Sequence, residues 1–207
     1  MVVFKFEKTS TAALAAHVDT LRAVTYVFRR ANLPVEYSHG FNPHMELGFS
    51  SPLALGVESL CEYVSAKMEF SDGLLEKLNA VCPKGLRFTQ VFNKEINLAA
   101  KIDSAPYKIH AVGIGNVVEE ILAPNYEISY AEKGEIVTKD VSARIISAKK
   151  ADENNAFVTL TLGNNNLRPD RLVCHLQHKH NLQGDYSVIK TESFVGGVPT
   201  DEFLKNL

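Results

Sequence analysis

Cysteine is scarce in this chain of 207 residues, which contains Cys61, Cys82 and Cys174 only. Three widely spaced cysteines argue against a disulfide framework and suit a reducing compartment. No apolar run approaches the roughly 20 residues that a membrane-spanning helix needs. The first ten residues, MVVFKFEKTS, carry charges and no apolar signal region. We therefore expect a cytoplasmic protein without a membrane partner.

The chain also has no surplus of positive charge, because it contains 22 Lys and Arg residues and 24 Asp and Glu residues. A general nucleic-acid binder is usually basic, so DNA is not an expected partner and RNA binding would need a local patch. The chain has no phosphate-binding P-loop, no G-x-S-x-G and no H-E-x-x-H. It also lacks the aromatic RNP1 pattern of RNA-recognition motifs. No cofactor is therefore expected.

The N-terminal pattern predicts a strand followed by a helix. VVFKFEK alternates and is rich in Val and Phe, which is typical of a strand. Thr9 or Ser10 offers an N-cap, and the helix should end near Asn32 because Pro34 follows. Residues at helical steps of three and four lie between these limits: Leu14, Val18, Leu21, Thr25 and Phe28.

The remaining pattern predicts the order βαββαβ twice, with a short helix at NVVEEILA in the second copy. We expect an α+β protein of two tandem ferredoxin-like halves. Each half would have a four-stranded antiparallel sheet with helices packed on one face. The predicted domains are residues 1–95 and 96–207.

Polar residues on the first helix form the first candidate group. Arg22 follows Asp19 by three residues and can pair with it, and His17 borders the apolar stripe. The ordinary interpretation is a boundary histidine beside a surface ion pair. The functional interpretation is a polar cluster directed at a cleft, with Arg22, Arg29 and Arg30 as an anion-binding patch.

The segment from residue 37 to 64 supplies the second group. His39 and His44 flank the turn at Asn42, and Glu58 and Glu62 share one face of an extended strand. Two histidines with carboxylates could bind a metal, but the spacing matches no standard site. We assign no metal, which leaves a recognition loop or a simple turn between strands.

A third group lies near the end of a predicted helix in the second half. Cys174 and His178 share a helical face, with His175 and His180 nearby. A soft-ligand metal site is conceivable here, whereas accidental, solvated side chains are the ordinary interpretation.

The run from Ala16 to Val64 resembles the radical-SAM-linked family of uncharacterised bacterial proteins. That family carries a Ser-His-Leu-Asp segment, an arginine-rich helix end, a Gly-Phe-Asn-Pro-His loop and a Leu-Gly-x-Glu-Ser-x-x-Glu-Tyr stretch. The matching positions here are His17, Asp19, Arg29, Arg30, Gly40 to His44, Leu55, Gly56, Glu58, Ser59, Glu62 and Tyr63, with Arg168-Pro169 later. Three positions depart from the family pattern: Ala16, Met45 and Ser142. The change at Ser142 puts an acidic function of the second half in doubt.

The resemblance implies a stand-alone partner of a radical-SAM enzyme. This chain has no C-x-x-x-C-x-x-C triad for an iron–sulfur cluster, so the chemistry would belong to the partner. The leading expectation is an accessory binding module without independent activity that presents RNA, such as tRNA or rRNA, for modification. The expected substrate-binding residues are His17, Asp19, Arg22, Arg29, Arg30, His39, Asn42, His44, Glu58 and Glu62.

Two alternatives stay open. Two ferredoxin-like halves are also found in pseudouridine synthases, so the protein could be an RNA-modifying enzyme. Asp19 would then be its nucleophile or general base, oriented by Arg22. The other alternative is a protein–protein adaptor.

Overall fold

The computed structural model describes residues 1–132 and 134–207. Its strands, in chain order, are β1 Val2–Lys8, β2 Leu47–Phe49, β3 Glu58–Ala66, β4 Leu86–Asn93, β5 Ser104–His110, β6 Glu127–Glu132, β7 Glu135–Asp140, β8 Ile145–Lys150, β9 Asn155–Thr161, β10 Ser187–Lys190, β11 Phe194–Val195 and β12 Val198–Pro199. Its α-helices are α1 His17–Arg30, α2 Leu74–Asn79, α3 Pro169–His180 and α4 Thr200–Asn206. The protein is therefore a mixed α/β protein with few helices. No helix in the described residues is long and apolar enough to cross a membrane.

The chain forms two compact units. The first contains Met1–Ile102 together with Phe194–Leu207, and the second contains Asp103–Ser193. The predicted domains, residues 1–95 and 96–207, stay a prediction. The C-terminal segment nevertheless belongs to the first unit, which the sequence pattern did not indicate.

The sheet of the first unit is antiparallel, with the strand order β2-β3-β1-β4. The alternation of β1 places Val2, Phe4 and Phe6 in the core. The Phe4 ring meets the Phe28 ring of α1 edge-on, with centroids 5.2 Å apart, and it meets Phe88 of β4 in the same way. Each buried aromatic side chain stabilises the fold by roughly 2–3 kcal/mol. This aromatic cluster fixes α1 on one face of the sheet.

The first helix begins later than its pattern predicts. A 3-10 helix occupies Ser10–Leu14, and α1 begins at His17 without a side-chain cap. The predicted cap residues make other contacts, because the Thr9 N–H donates to the Gly85 carbonyl at 2.8 Å and the Ser10 N–H donates to Glu58 at 2.7 Å. The predicted N-cap at Thr9 or Ser10 of this α-helix is therefore wrong.

The C-terminal helix α4 contacts the sheet of the first unit through the Asp201 carboxylate. Asp201 accepts hydrogen bonds from Lys5 at 2.6 Å, from the Tyr63 hydroxyl at 2.7 Å and from Gln90 at 2.9 Å. These three residues lie on β1, β3 and β4. Since Phe4 and Phe6 point towards α1, Lys5 points to the other face, and α4 therefore lies on the face opposite α1.

The second unit contains an antiparallel sheet with the order β8-β9-β5-β10 and a separate β6–β7 hairpin. The helix α3 contacts β6. The segment NVVEEILA, residues 116–123, forms a 3-10 turn over Val118–Leu122 instead of the predicted α-helix, and another 3-10 turn, Ile114–Asn116, precedes it. Adjacent β-branched residues lower helix propensity there, and Pro124 disfavours helical geometry at Ala123, which is extended.

Candidate functional site

A buried polar pocket lies at the start of α1 in the first unit. Lys8 at the end of β1 and Glu62 on β3 are 2% and 6% exposed, and half-buried His17 completes the cluster. Glu62 accepts from the Ser59 hydroxyl at 2.6 Å and from the Ser50 hydroxyl at 3.4 Å. Two of the predicted residues, His17 and Glu62, are thus brought together.

Burial controls the electrostatics of this pocket. The loss of water lowers the pKa of Lys8, and the nearby Glu62 carboxylate opposes that effect. Partial burial likewise lowers the pKa of His17, with Glu62 opposing the shift and Lys8 adding to it. The Lys8 ammonium donates to the Ala15 carbonyl at 2.9 Å, which ties β1 to the residues before α1. The pocket encloses about 10 Å³, enough for one water molecule but not for a substrate.

The outer face of α1 carries the predicted arginines. Arg22 pairs with Asp19 at 3.4 Å, and both side chains are more than half exposed. Arg29 and Arg30 are exposed in the last turn. Tyr26, which the sequence analysis did not select, is 58% exposed and lies one turn after Arg22. Arg22, Tyr26 and Arg29 therefore share one solvent-facing stripe.

The predicted recognition loop is fastened at its base and exposed at its tip. Tyr37 and Met45 form an isolated antiparallel bridge. Within it, the Ser38 hydroxyl lies 2.8 Å from Nδ1 of His44, and the Ser38 N–H donates to the His44 carbonyl at 2.8 Å. The tip residues are all exposed, and they are His39, Gly40, Phe41, Asn42 and Pro43. The Phe41 side chain is fully exposed.

The remaining predicted residue of this unit, Glu58, has a local role. Its carboxylate accepts from the Ser10 N–H, where the backbone adopts a positive φ of 52°. Neither Glu58 nor the residues of the loop tip line the small pocket of Lys8, His17 and Glu62. The predicted set is thus divided among a buried pocket, a helix face and a loop, and its role in binding stays a prediction.

A larger cavity lies in the second unit, between α3 and the β6–β7 hairpin. Its volume is about 730 Å³. Its walls combine cationic, aromatic and apolar side chains, with one carboxylate among them. They are Ser129, Tyr130, Ala131, Ile136, Arg168, Asp170, Arg171, Cys174, His175, His178 and Lys179.

The helix-end group of the sequence analysis is part of this cavity. Cys174, His175 and His178 line it, whereas His180 lies 2.8 Å from Glu120. No group of three or more His, Cys, Asp or Glu side chains in residues 1–132 and 134–207 is arranged to hold a metal ion. Nδ1 of His175 accepts from the Ser129 N–H at 3.1 Å, so the ring of α3 is joined to β6.

Sequence reasoning missed Tyr130, Arg171 and Lys179 in this cavity. One signal was available on the helix, because Arg168, Arg171, His175 and Lys179 recur at steps of three and four. No local signal connected this face to Tyr130, since the hairpin that carries Tyr130 is distant in sequence.

Residues 2–169 match a family described as an uncharacterized protein conserved in bacteria, DUF2344. The chain belongs to this family. Membership of an uncharacterised bacterial family is thereby confirmed, whereas the link to a radical-SAM enzyme stays a prediction. The DUF2344 match ends at Pro169, so most of α3 lies beyond it. No curated protein matches the chain.

Proposed function

We propose that this DUF2344 protein is an accessory module that binds RNA and presents it to a radical-SAM enzyme. The exposed stripe of Arg22, Tyr26 and Arg29 on α1 carries the proposal. Arginines beside an exposed aromatic ring suit RNA, because guanidinium groups contact phosphates and the ring stacks on an unpaired base. Such a patch can act locally although the net charge of the chain is −2.

The exposed loop tip supports recognition of a large partner. Phe41, His39 and Asn42 project from a loop that is fastened by Ser38 and His44. A fully exposed Phe in a fastened loop is suited to stacking on a splayed base. We include His39, Asn42 and His44 in the proposed RNA surface, together with Arg30 at the end of α1.

The radical-SAM partner is inferred from the motif run between His17 and Tyr63, since the chain has no cysteine triad of its own. The enzymatic alternative through Asp19 has no comparable support. The Asp19 carboxylate is 59% exposed and faces Arg22 across 3.4 Å, which is typical of a surface ion pair. A catalytic base is usually enclosed with its substrate.

We also infer that both units are ferredoxin-like. The strand order β4-β1-β3-β2 of the first unit and the order β10-β5-β9-β8 of the second correspond strand for strand. In the second unit, 3-10 turns take the place of the first helix, and the β6–β7 hairpin precedes the second strand. These correspondences support two copies of one plan.

The test is RNA binding by an Arg29→Ala, Arg30→Ala double variant at two salt concentrations. Loss of two phosphate contacts should weaken binding to many sequences alike and reduce the slope of log affinity against log salt by about 1.5. The matched control is Lys77→Ala with Lys101→Ala, which removes two exposed charges elsewhere in the first unit. Equal affinities and slopes for both double variants would reject the RNA surface.

A pull-down with the purified protein addresses the partner. RNA and protein should be recovered together, and the protein should include a radical-SAM enzyme. Recovery of a radical-SAM enzyme without RNA, before and after nuclease treatment, would favour the adaptor alternative over RNA presentation.

A further inference from the structure

We propose that the cavity between α3 and the β6–β7 hairpin binds a nucleotide, with its phosphate on Arg168 and Arg171 and its base against the Tyr130 ring. This inference goes beyond the RNA surface on α1, because no residue of the first unit lines the cavity. The ligand chemistry is a phosphate joined to an aromatic base. Its source is either a free nucleotide or one nucleotide of an RNA strand, and the experiment below separates the two.

The size of the cavity suits this ligand. Pockets for small molecules and cofactors usually enclose about 300–1,000 Å³. The cavity of about 730 Å³ lies in that range, whereas the pocket of Lys8, His17 and Glu62 holds about 10 Å³. A mononucleotide can therefore enter the first of these spaces but not the second.

The arginines that line the cavity, Arg168 and Arg171, can donate hydrogen bonds to a ligand. Arg168 uses Nε and Nη2 for Asp170, at 3.1 and 2.6 Å, and within residues 1–132 and 134–207 its Nη1 has no hydrogen-bond acceptor and can donate to a ligand. The hydrogen bonds from Arg171 to Glu132 are long, both 3.5 Å. Lys139 lies 2.9 Å from Glu132 and would still satisfy that carboxylate if Arg171 turned to a phosphate. Nη1 of Arg168 and the guanidinium of Arg171, one helical turn apart, can both donate to the oxygens of a phosphate.

Among the residues that the structure describes, Lys179 adds a third cation to the lining, where Asp170 is the single carboxylate. The Lys179 ammonium group lies 3.0 Å from Glu120, outside the lining, so it is shared with that carboxylate. This described part of the lining carries three cationic side chains and one anionic side chain, which favours an anion.

The opposite wall suits an aromatic base. The Arg171 guanidinium lies over the Tyr130 ring, 4.0 Å from its centroid. If Arg171 turns to a phosphate, this face of the Tyr130 ring is left for a base. Bases stack on aromatic rings and on guanidinium planes alike. The hydrogen bond from the Ser129 N–H to His175 holds β6 against α3 and so keeps the two walls together.

Cys174 provides a reporter inside the cavity. Its side chain is exposed and lines the cavity, where its thiol lies 3.6 Å from the Tyr186 hydroxyl. Cys82 is half-buried in the first unit and Cys61 is buried. A ligand in the cavity should therefore slow alkylation of Cys174 and leave Cys82 unchanged, so each sample contains its own control.

The experiment measures alkylation of each cysteine by peptide mass spectrometry, at constant ionic strength. The probes are the four ribonucleoside monophosphates, the corresponding nucleosides, inorganic phosphate and a short single-stranded RNA. We expect at least a threefold slower reaction at Cys174 with millimolar monophosphate, and a smaller effect with nucleoside or phosphate alone. Slowing by RNA without slowing by monophosphates supports the cavity as a site for an RNA nucleotide.

Variants test whether Arg168 and Arg171 are responsible for the protection of Cys174. Arg168→Ala with Arg171→Ala should abolish it, because charge-assisted hydrogen bonds contribute about ten- to a hundredfold in affinity. Arg171→Lys keeps the charge beside Glu132 and should weaken protection without affecting folding. Lys149→Ala, an exposed change in the same unit outside the lining, is the matched control.

Three results would overturn the proposal. One is an unchanged Cys174 reaction with every probe, and another is protection that persists in the double arginine variant. The third is protection by a nucleoside or by phosphate alone that equals protection by the monophosphate, since the site would then not recognise both the base and the phosphate. None of these results bears on the Arg29 and Arg30 test of the α1 surface.

Discussion

In the first unit, Lys8, His17 and Glu62 surround a pocket of about 10 Å³, whereas in the second unit Arg168, Arg171 and Lys179 line a cavity of about 730 Å³. The first set is closed in by Ser50 and Ser59 and by the backbone before α1. In the second set, the hydrogen bonds of Arg171 to Glu132 are long and the Lys179 ammonium is shared with Glu120, so both groups can also donate to a ligand. Charged groups therefore have different roles in the two units.

The difference lies in how completely each charge is satisfied. A buried charge with close hydrogen-bond partners holds elements together and is costly to remove. A half-exposed guanidinium with long or shared contacts remains able to bind an anion. We infer that the polar pocket of the first unit is structural and that the cavity of the second unit binds a ligand.

The largest expected effect is on folding of the first unit. Glu62→Leu removes the carboxylate next to the buried Lys8 ammonium and should lower the free energy of unfolding by about 3 kcal/mol. The measurement is urea denaturation. Lys67→Met, at an exposed pair with Glu36 and Glu46, is the control and should leave the midpoint unchanged. Adding Lys8→Met to Glu62→Leu should recover most of the loss, and a further loss in the double variant would contradict the account.

The next largest effect concerns the cavity of the second unit. Tyr130→Leu removes the ring on which the base would stack and should weaken nucleotide binding about tenfold, with little effect on stability. Tyr130→Phe keeps the ring and should bind nearly as well as the natural protein. Isothermal titration with a monophosphate gives both affinities, and identical values for Leu and Phe would argue against base stacking on this wall.

The sequence pattern predicted β1 well, because its alternation places Phe4 in the core. The predicted apolar stripe of α1 is wrong except at Phe28, because Val18 is 55% exposed and the core contains Val24 and Val27 instead. The same alternation that places Phe4 and Phe6 inward also reaches Lys8, which the sequence analysis overlooked. A lysine at a strand end gives no local sign that it will be buried beside a glutamate from another strand.

The cavity could not be predicted for a different reason. Its two walls come from α3 and from β6, and only their packing brings Tyr130 to Arg171. The start of α1 was misplaced because Thr9 and Ser10 bind Gly85 and Glu58, both distant in sequence. Periodicity therefore predicted where helices and strands lie. Contacts between residues distant in sequence determine where those helices and strands end and which of them line the cavity.

A smaller effect should follow from acid. Partial burial alone would raise the pKa of Glu120, but hydrogen bonds from Tyr126, His180 and Lys179 outweigh it and lower the pKa to about 2. Because the folded pKa lies below the unfolded value of about 4.3, this stabilisation is present above about pH 5 and is lost as the pH falls towards 2.

Glu120→Gln should therefore cost clearly more stability at pH 6 than at pH 3, with a difference of about 1 kcal/mol after allowance for solvent screening. Urea denaturation at the two pH values measures it. Glu153→Gln, an exposed change in the same unit, is the control. A cost that is equal at both pH values would show that the ionised carboxylate is not what stabilises this end of α3.

The smallest effect is expected at Asp19. Asp19→Asn breaks an exposed pair with Arg22 and should change the free energy of unfolding by no more than about 0.5 kcal/mol. RNA affinity should stay the same or rise slightly, since a negative charge beside Arg22 is removed. An RNA modification that disappears in this variant while binding persists would revive the enzymatic alternative.

The most direct test of the contrast between the two units is hydrogen–deuterium exchange with and without a saturating ribonucleoside monophosphate. The account predicts slower exchange in peptides from β6, β7 and α3, and unchanged exchange in peptides that contain Lys8, His17 and Glu62. Slower exchange confined to the peptides of Lys8, His17 and Glu62 would contradict it, because the ligand would then bind at the pocket that we regard as structural.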